Sequence, residues 1–194
     1  MGREFELKFS ADPGTQSGIR RAHAGPWQSI SMETTYFDTP EGTLSALRWT
    51  LRRRLENGRS FCTLKTPASG GARGEWEVEC DDFFRGLALL ETLPDFPGDV
   101  HLTDLTLVPV CGARFLRQCA RIPLAHGEAE LALDEGVLIG SGREILLCEV
   151  EVEAKSGPEE DVCSFARQLA RDYNLQPEPR SKYQRALALA KEGL

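Results

Sequence analysis

Charged and apolar residues alternate from Glu4 to Phe9. That period of two lays a segment down as a strand with two unlike faces. Glu4, Glu6 and Lys8 then point one way and Phe5, Leu7 and Phe9 the other. The same alternation returns at Thr50–Leu55, Ser60–Thr66, Glu75–Cys80, Arg117–Ile122, Glu128–Leu133 and Ile145–Ala154. Asn57-Gly58, set between the first two of these runs, predicts a tight hairpin. Helical periodicity occurs at Asp81–Leu93 and at Pro158–Tyr173, where Val162, Phe165, Ala166, Leu169 and Tyr173 share a face. A last helix is predicted from Ser181, a suitable N-cap, through Ala188. The Gly/Pro-rich stretches Pro67–Gly74 and Pro94–Gly98 read as loops too short to link domains, so one domain over residues 1–194 is expected. The predicted fold class is α+β and β-dominated: a closed antiparallel, tunnel-like barrel or strongly curved sheet with helices packed outside.

The formal charge of -7 argues against a nucleic-acid-binding surface. Six cysteines without a Cys-x-x-Cys pair, in a chain with 41% hydrophobic residues, read as reduced, mostly buried thiols. Arg3, Glu4 and Glu6 leave no room for a signal peptide, and no apolar stretch approaches membrane-spanning length. A cytoplasmic protein with no membrane partner is expected. His23, His101 and His126 have no metal-ligand spacing and are expected at the surface. No Ser-His-Asp or Cys-His arrangement and no Walker-type loop occurs.

The charged faces carry the chemistry. Glu149, Glu151 and Glu153 share one face of their strand, Glu75, Glu77 and Glu79 one of theirs, and Glu128, Glu130 and Asp134 another. Arg52 and Arg54 share a face, as do Thr63 and Lys65, and Arg117 and Arg121. Any one of these could be a solvated face. Together they are sorted by sign, which predicts an acidic wall facing a basic wall across a lumen. Carboxylates suit magnesium or manganese, which retain waters or phosphates as remaining ligands. Arginine forks and lysine ammoniums suit phosphate oxygens. So many of both suit a chain of phosphates rather than one.

At this point the sequence resembles the CYTH superfamily, the triphosphate tunnel metalloenzymes. The motifs stand in order as Glu4-x-Glu6-x-Lys8, Tyr36-Phe37-Asp38-Thr39, Leu51-Arg52-x-Arg54, Thr63-Leu64-Lys65, Arg73-x-Glu75, Arg117, Glu130-x-x-x-Asp134-x-Gly136, Glu149-x-Glu151 and Ser181-Lys182. A lone Glu-x-Glu-x-Lys is weak; nine elements in order are specific. The resemblance implies a tunnel of about eight strands binding a small-molecule triphosphate with Mg2+ or Mn2+. It implies metal ligation by Glu4, Glu6, Asp134, Glu149 and Glu151, and phosphate binding by Lys8, Arg52, Arg54, Lys65, Arg117 and Lys182. Catalysis would fall to Glu4, Glu6, Lys8, Arg52, Arg54, Lys65 and Glu151, supported by Glu75, Glu130 and Glu153.

The run Leu51–Arg59 followed by Thr63–Thr66 looks most like bacterial inorganic triphosphatases; the second, helical domain that often follows in those relatives is expected to be absent. Hydrolysis of inorganic tripolyphosphate to diphosphate and phosphate is therefore expected. The alternatives are hydrolysis of an organic triphosphate such as thiamine triphosphate, a class IV-type adenylyl cyclase, and a non-catalytic polyphosphate-binding module. Trp27, Trp49 and Trp76 are the aromatic candidates for an organic group, with Trp76 expected to pack outward. Asp38 and Thr39 read as a turn in which the aspartate caps local amides. Arg53, with the parity of Leu51 and Leu55, is expected to face away from the lumen. Glu77 and Glu79 are expected at the rim or as supports behind the residues that meet the ligand.

Overall fold

The computed structural model describes residues 5–23, 25–69 and 72–192. Their elements run β1 (Glu6–Ser10), α1 (Pro13–Ala22), β2 (Gln28–Asp38), α2 (Thr43–Ala46), β3 (Thr50–Glu56), β4 (Arg59–Ser69), β5 (Ala72–Glu79) and α3 (Phe83–Glu91). Then follow β6 (Val108–Leu124), β7 (Gly127–Gly140), β8 (Arg143–Ser156), α4 (Glu159–Tyr173), β9 (Gln176–Pro177) and α5 (Lys182–Lys191). The strands form one antiparallel sheet in the order β5-β4-β3-β2-β6-β7-β8-β1-β9. Strand alternation thus translates into a β-dominated α+β fold.

The expected barrel is not closed by hydrogen bonds, because β5 and β9 stand at the two ends of the sheet. The sheet nevertheless curls: side chains from β1 through β6 and from β8 line one cavity of about 220 Å3. The hairpin at Asn57-Gly58 forms as expected, with φ of 50° and 86°, the left-handed pair that a two-residue turn joining twisted strands requires.

Outward-facing apolar residues make two cores. Phe9, Leu131, Leu133, Val150 and Val152 pack against Ile19 of α1 and Val162, Ala166 and Leu169 of α4. Leu51, Cys62 and Leu64 pack with Trp76 and with Leu87 and Leu90 of α3. The indole N–H of Trp76 donates to the Pro94 carbonyl at 3.0 Å, so this residue does face outward. All six cysteines are free thiols, and Cys62, Cys111, Cys119 and Cys148 are buried. Burial pushes the Cys62 thiol up to about 11 and that of Cys111 up to about 12, which keeps both inert at neutral pH. Among the described residues no helix is long and apolar enough to cross a membrane.

Two further expectations change. The residues around the supposed loop 67–74 extend β4 and β5 instead, as far as Ser69 and from Ala72. More consequentially, α5 does not pack outside. Its Ala186 and Ala190 join Met32, Tyr36, Ala113, Phe115, Leu138 and Leu147, which share the parity of the cavity-lining residues. Close approach there depends on Gly140: a Cβ at this position would stand 2.5 Å from the Ala190 amide nitrogen and 2.7 Å from the Ala186 carbonyl oxygen. Both obstacles are backbone and cannot rotate away. Gly140→Ala should therefore lower stability by roughly 1–3 kcal/mol, read as a fall in the urea midpoint at unchanged slope.

Candidate active site

The deepest charges of the molecule are carboxylates on adjacent strands. Asp134 of β7 lies directly opposite Glu149 of β8, and Glu151 follows two residues on, so all three project from one face. Each offers an oxygen within 4.8 Å of the others, and Asp134 and Glu149 have no exposed surface. Three cations neutralise them. The Lys182 Nζ donates to Asp134 at 2.8 Å, Glu149 at 2.5 Å and Glu151 at 2.7 Å. Arg117 makes a forked pair with Asp134 at 2.8 and 2.7 Å and also reaches Glu151. Arg185 reaches Glu149.

The titration behaviour follows from this arrangement. Burial works to raise the Glu151 carboxyl, yet Lys182 and Arg117 outweigh it and hold the group below the ordinary carboxylate range. Burial works to lower the Lys182 ammonium, and Asp134, Glu151 and Glu149 reverse that too, lifting it above its usual value. Glu151 and Lys182 are therefore both ionised.

Lys8, Arg52, Arg54, Lys65, Arg117 and Lys182 all line the cavity, with Glu6, Glu75, Glu77 and Glu151. The structure thus gathers all six residues expected to meet phosphate. Glu6 sits beside Lys8 at 3.4 Å and pairs in register with Glu153, while Lys8 pairs with Glu151. Glu75 lies 3.1 Å from Lys65. Glu77, expected at the rim or as a support, lines the cavity and accepts from the Thr63 hydroxyl at 2.7 Å. Glu130 and Glu153 do not line the cavity; both pair with Lys155, at 3.7 and 2.6 Å. Arg53 turns away as its parity requires and donates to Ser60 and to the Asp81 carbonyl. Glu4 and the Arg73 side chain lie outside the described residues.

The two-wall expectation is corrected. Signs alternate between neighbouring strands: Lys8 opposes Glu151, Arg117 opposes Asp134 and Lys65 opposes Glu75. Cross-strand pairs of opposite charge stabilise a sheet, and segregated walls would forgo them. Arg52 and Arg54 differ, because their direct neighbours are Tyr36, Thr63, Thr34 and Phe61. Their Nε atoms are buried without a hydrogen-bond partner. Burial, together with the like charge of Arg52, pulls the Arg54 guanidinium below its usual value.

Two residues at this site were not expected. Arg185 stands three positions after Lys182, a helical spacing that puts both on one face, and so could have been found. Gln16 had no signal. The inward turn of the Asp134 and Glu149 side chains leaves the back of this pair bare, and α1 covers it. From there the Gln16 amide donates to the Asp134 carbonyl at 3.0 Å and the Glu149 carbonyl at 2.8 Å.

A model of the CYTH domain family matches residues 2–187. The chain belongs to the CYTH family. It is 28% identical over 206 residues to an inorganic triphosphatase of Haemophilus influenzae, a match covering 97% of this chain and 55% of that protein. The chain thus spans about half the length of that curated relative. A Pyrococcus horikoshii protein of solved structure superimposes with a TM-score of 0.64 at 23% identity, covering 97% of this chain and 99% of that one. A Hippeastrum protein described with a dominant triphosphatase activity gives 0.62 at 17% identity, over 99% and 96%. At these identities the two structures speak for the fold.

Replacing Gln16 by Leu keeps the volume but removes both amide hydrogen bonds, and should cost roughly 1–3 kcal/mol of stability, measurable by urea denaturation. A second expectation concerns acid. Hydrogen bonds from Arg180 hold the Glu178 carboxyl at about 2 against the opposing effect of burial. A carboxyl depressed in the folded state stabilises above its unfolded value and loses that contribution as pH falls toward the folded one. The stability difference between the native protein and Glu178→Gln should therefore be constant above pH about 4.5 and shrink between there and pH 2. Chemical denaturation across that range checks it.

Proposed function

We propose that this chain is a divalent-metal-dependent triphosphatase that hydrolyses inorganic tripolyphosphate to diphosphate and phosphate. The observation that carries the reading is the convergence of six cationic side chains on one small cavity in which Arg52 and Arg54 keep unpartnered, buried Nε atoms. A buried N–H without an acceptor is costly unless a ligand supplies one. Phosphate oxygens do so in the geometry guanidinium groups favour. The activity of the Haemophilus influenzae relative supports the same substrate class.

In this reading Arg52, Arg54 and Lys65 grip the phosphate chain from the side of β3 and β4. Lys8, Arg117 and Lys182 meet it from the acidic side. The three-carboxylate cluster suits Mg2+ or Mn2+, since hard oxygen donors favour these ions. Asp134, Glu149 and Glu151 would hold the metal, with Glu6 of β1; Glu4, expected to join them, lies outside the described residues. When bound, the metal neutralises phosphate charge and activates water for in-line attack. The protein's own part is to fix the chain and exclude competing water, the main requirement of phosphoryl transfer. Glu75 and Glu77 orient Lys65, Arg52 and Arg54, while Glu130 and Glu153 pair with Lys155 at the margin, Glu130 also with Arg121.

An organic triphosphate such as thiamine triphosphate is the second reading. An outer space of about 1000 Å3 adjoins the cavity and shares Glu6, Lys8, Thr50, Ser181 and Tyr183 with it, which leaves room for an organic group. Of the tryptophans only Trp49 borders that space, and it is largely buried; no tryptophan lines the inner cavity. The inorganic substrate is therefore preferred.

Purified protein incubated with tripolyphosphate, thiamine triphosphate and ATP, each with Mg2+ or Mn2+, should release phosphate fastest from tripolyphosphate. Turnover of ATP alone would remove the inorganic reading, cyclic AMP among the products would point to a cyclase, and tight binding without release to a non-catalytic module. Glu6→Gln, Glu151→Gln and Arg52→Ala should each lower kcat/KM by roughly a hundredfold or more.

A further inference from the structure

Three hydrogen-bonded side chains outside the ion-pair network connect a distant turn to the helix that carries Lys182. Asp38, at the end of β2, is 3% exposed. Its carboxylate accepts from the amides of Thr39 and Leu44 at 2.8 Å each, and from the amide of Ser45 at 3.0 Å. That much is the local capping role read from the sequence. The Ser45 hydroxyl, however, also donates to Asp38, at 2.6 Å, and lies 2.9 Å from the Tyr183 hydroxyl. A carboxylate can only accept, so the single Ser45 proton is committed to Asp38. The Tyr183 hydroxyl must then be the donor to Ser45. The result is a one-way chain from Tyr183 through Ser45 to Asp38, ending on a group whose other lone pairs are occupied by backbone.

Tyr183 is the residue after Lys182 and lies in the first turn of α5. Its ring packs 5.0 Å from that of Tyr36, and it borders both the inner cavity and the outer space. Elsewhere α5 meets the sheet through Ala186 and Ala190, through Arg185 on Glu149, and at its far end through Ser141 and Arg143, which donate to the Ala190 and Leu189 carbonyls; of the residues in its first turn, Tyr183 is the one tied to α2. Lys182 must bring one nitrogen to within hydrogen-bond distance of three carboxylates, which demands a fixed backbone at the helix start. An error of about an ångström in such a placement is costly.

We infer that Ser45 and Tyr183 are positioning residues: their hydrogen-bond chain to Asp38 sets the first turn of α5, and thereby where the Lys182 ammonium stands for a phosphate ligand. The inference rests on the triphosphate reading of the same cavity. It makes α2, an element with no charged residue, part of the specificity apparatus.

The test is calorimetric binding of tripolyphosphate in the presence of EDTA, which isolates the cationic side chains from any metal. Tyr183→Phe and Ser45→Ala should each weaken binding about five- to tenfold, the effect of one lost hydrogen bond on an ordered group. Ser45→Thr, which keeps the hydroxyl, should restore affinity to within about twofold of the native protein. In a Lys182→Met background Tyr183→Phe should add less than about twofold, because no ammonium remains to be positioned. Native affinity in both Tyr183→Phe and Ser45→Ala would overturn the inference. So would an equal loss with and without Lys182, which would make Tyr183 a direct contact or a purely structural one. If the native protein hydrolyses tripolyphosphate and these results are nonetheless obtained, the positioning role alone falls. If the native protein neither binds nor hydrolyses it, the triphosphate reading falls and takes this inference with it.

Discussion

Three carboxylates buried side by side are the constraint around which the molecule is arranged. Removing ionised groups from water is expensive, and like charges in contact add to the cost, so such a cluster is stable only when each oxygen finds a charged donor. Asp134, Glu149 and Glu151 face Lys182, Arg117 and Arg185, three cations for three anions, with Lys182 shared among all of them. Two of the three cations come from α5. That helix cannot therefore sit on the outside of the sheet, where the other helices bury apolar strand faces. It must enter the concave side, and Gly140 removes the one Cβ that would block it. The charge cluster, the inward helix and the glycine form one requirement stated at three levels.

Much of this was legible in the chain, for reasons that differ by element. Period-two alternation found β1, β3, β4, β5, β7, β8 and the second half of β6 because each has one charged and one apolar face. The parity of Arg53 placed it outward, and Asn57-Gly58 gave the hairpin because only left-handed φ values close that turn. β2 was missed as a strand: Gln28–Asp38 carries Ser, Thr and Met where an alternating pattern would show contrast. α1 was missed because Ile19 is its main apolar anchor and two glycines interrupt it. Its signal lay in the Asp12 cap and Pro13, which fix a helix start without any periodicity.

At the site, the sequence named which residues gather and not how they pair. All six expected phosphate-binding cations reach the cavity, since residues two apart on a strand share a face whatever the sheet does as a whole. Sorting of sign along each strand suggested opposed walls, but it is equally what alternation between adjacent strands produces. Only the strand order distinguishes these, and strand order depends on contacts between segments far apart in sequence. Gln16 illustrates the same limit. Its amide serves two backbone carbonyls more than a hundred residues away, and nothing local marks it.

Strand neighbours also decide which cations the protein keeps for itself. Arg117 and Lys8 lie opposite acids in the register, and their charge is largely met within the fold. Arg52 and Arg54 lie opposite Tyr36, Thr63, Thr34 and Phe61, side chains that cannot neutralise a guanidinium. Glu77 and Glu56 reach part of the Arg54 group, but the Nε of each arginine remains without an acceptor. A sheet built only for stability would place carboxylates beside them, as it does beside Lys65. Leaving two adjacent, half-matched guanidinium groups in a small cavity favours an anion from outside.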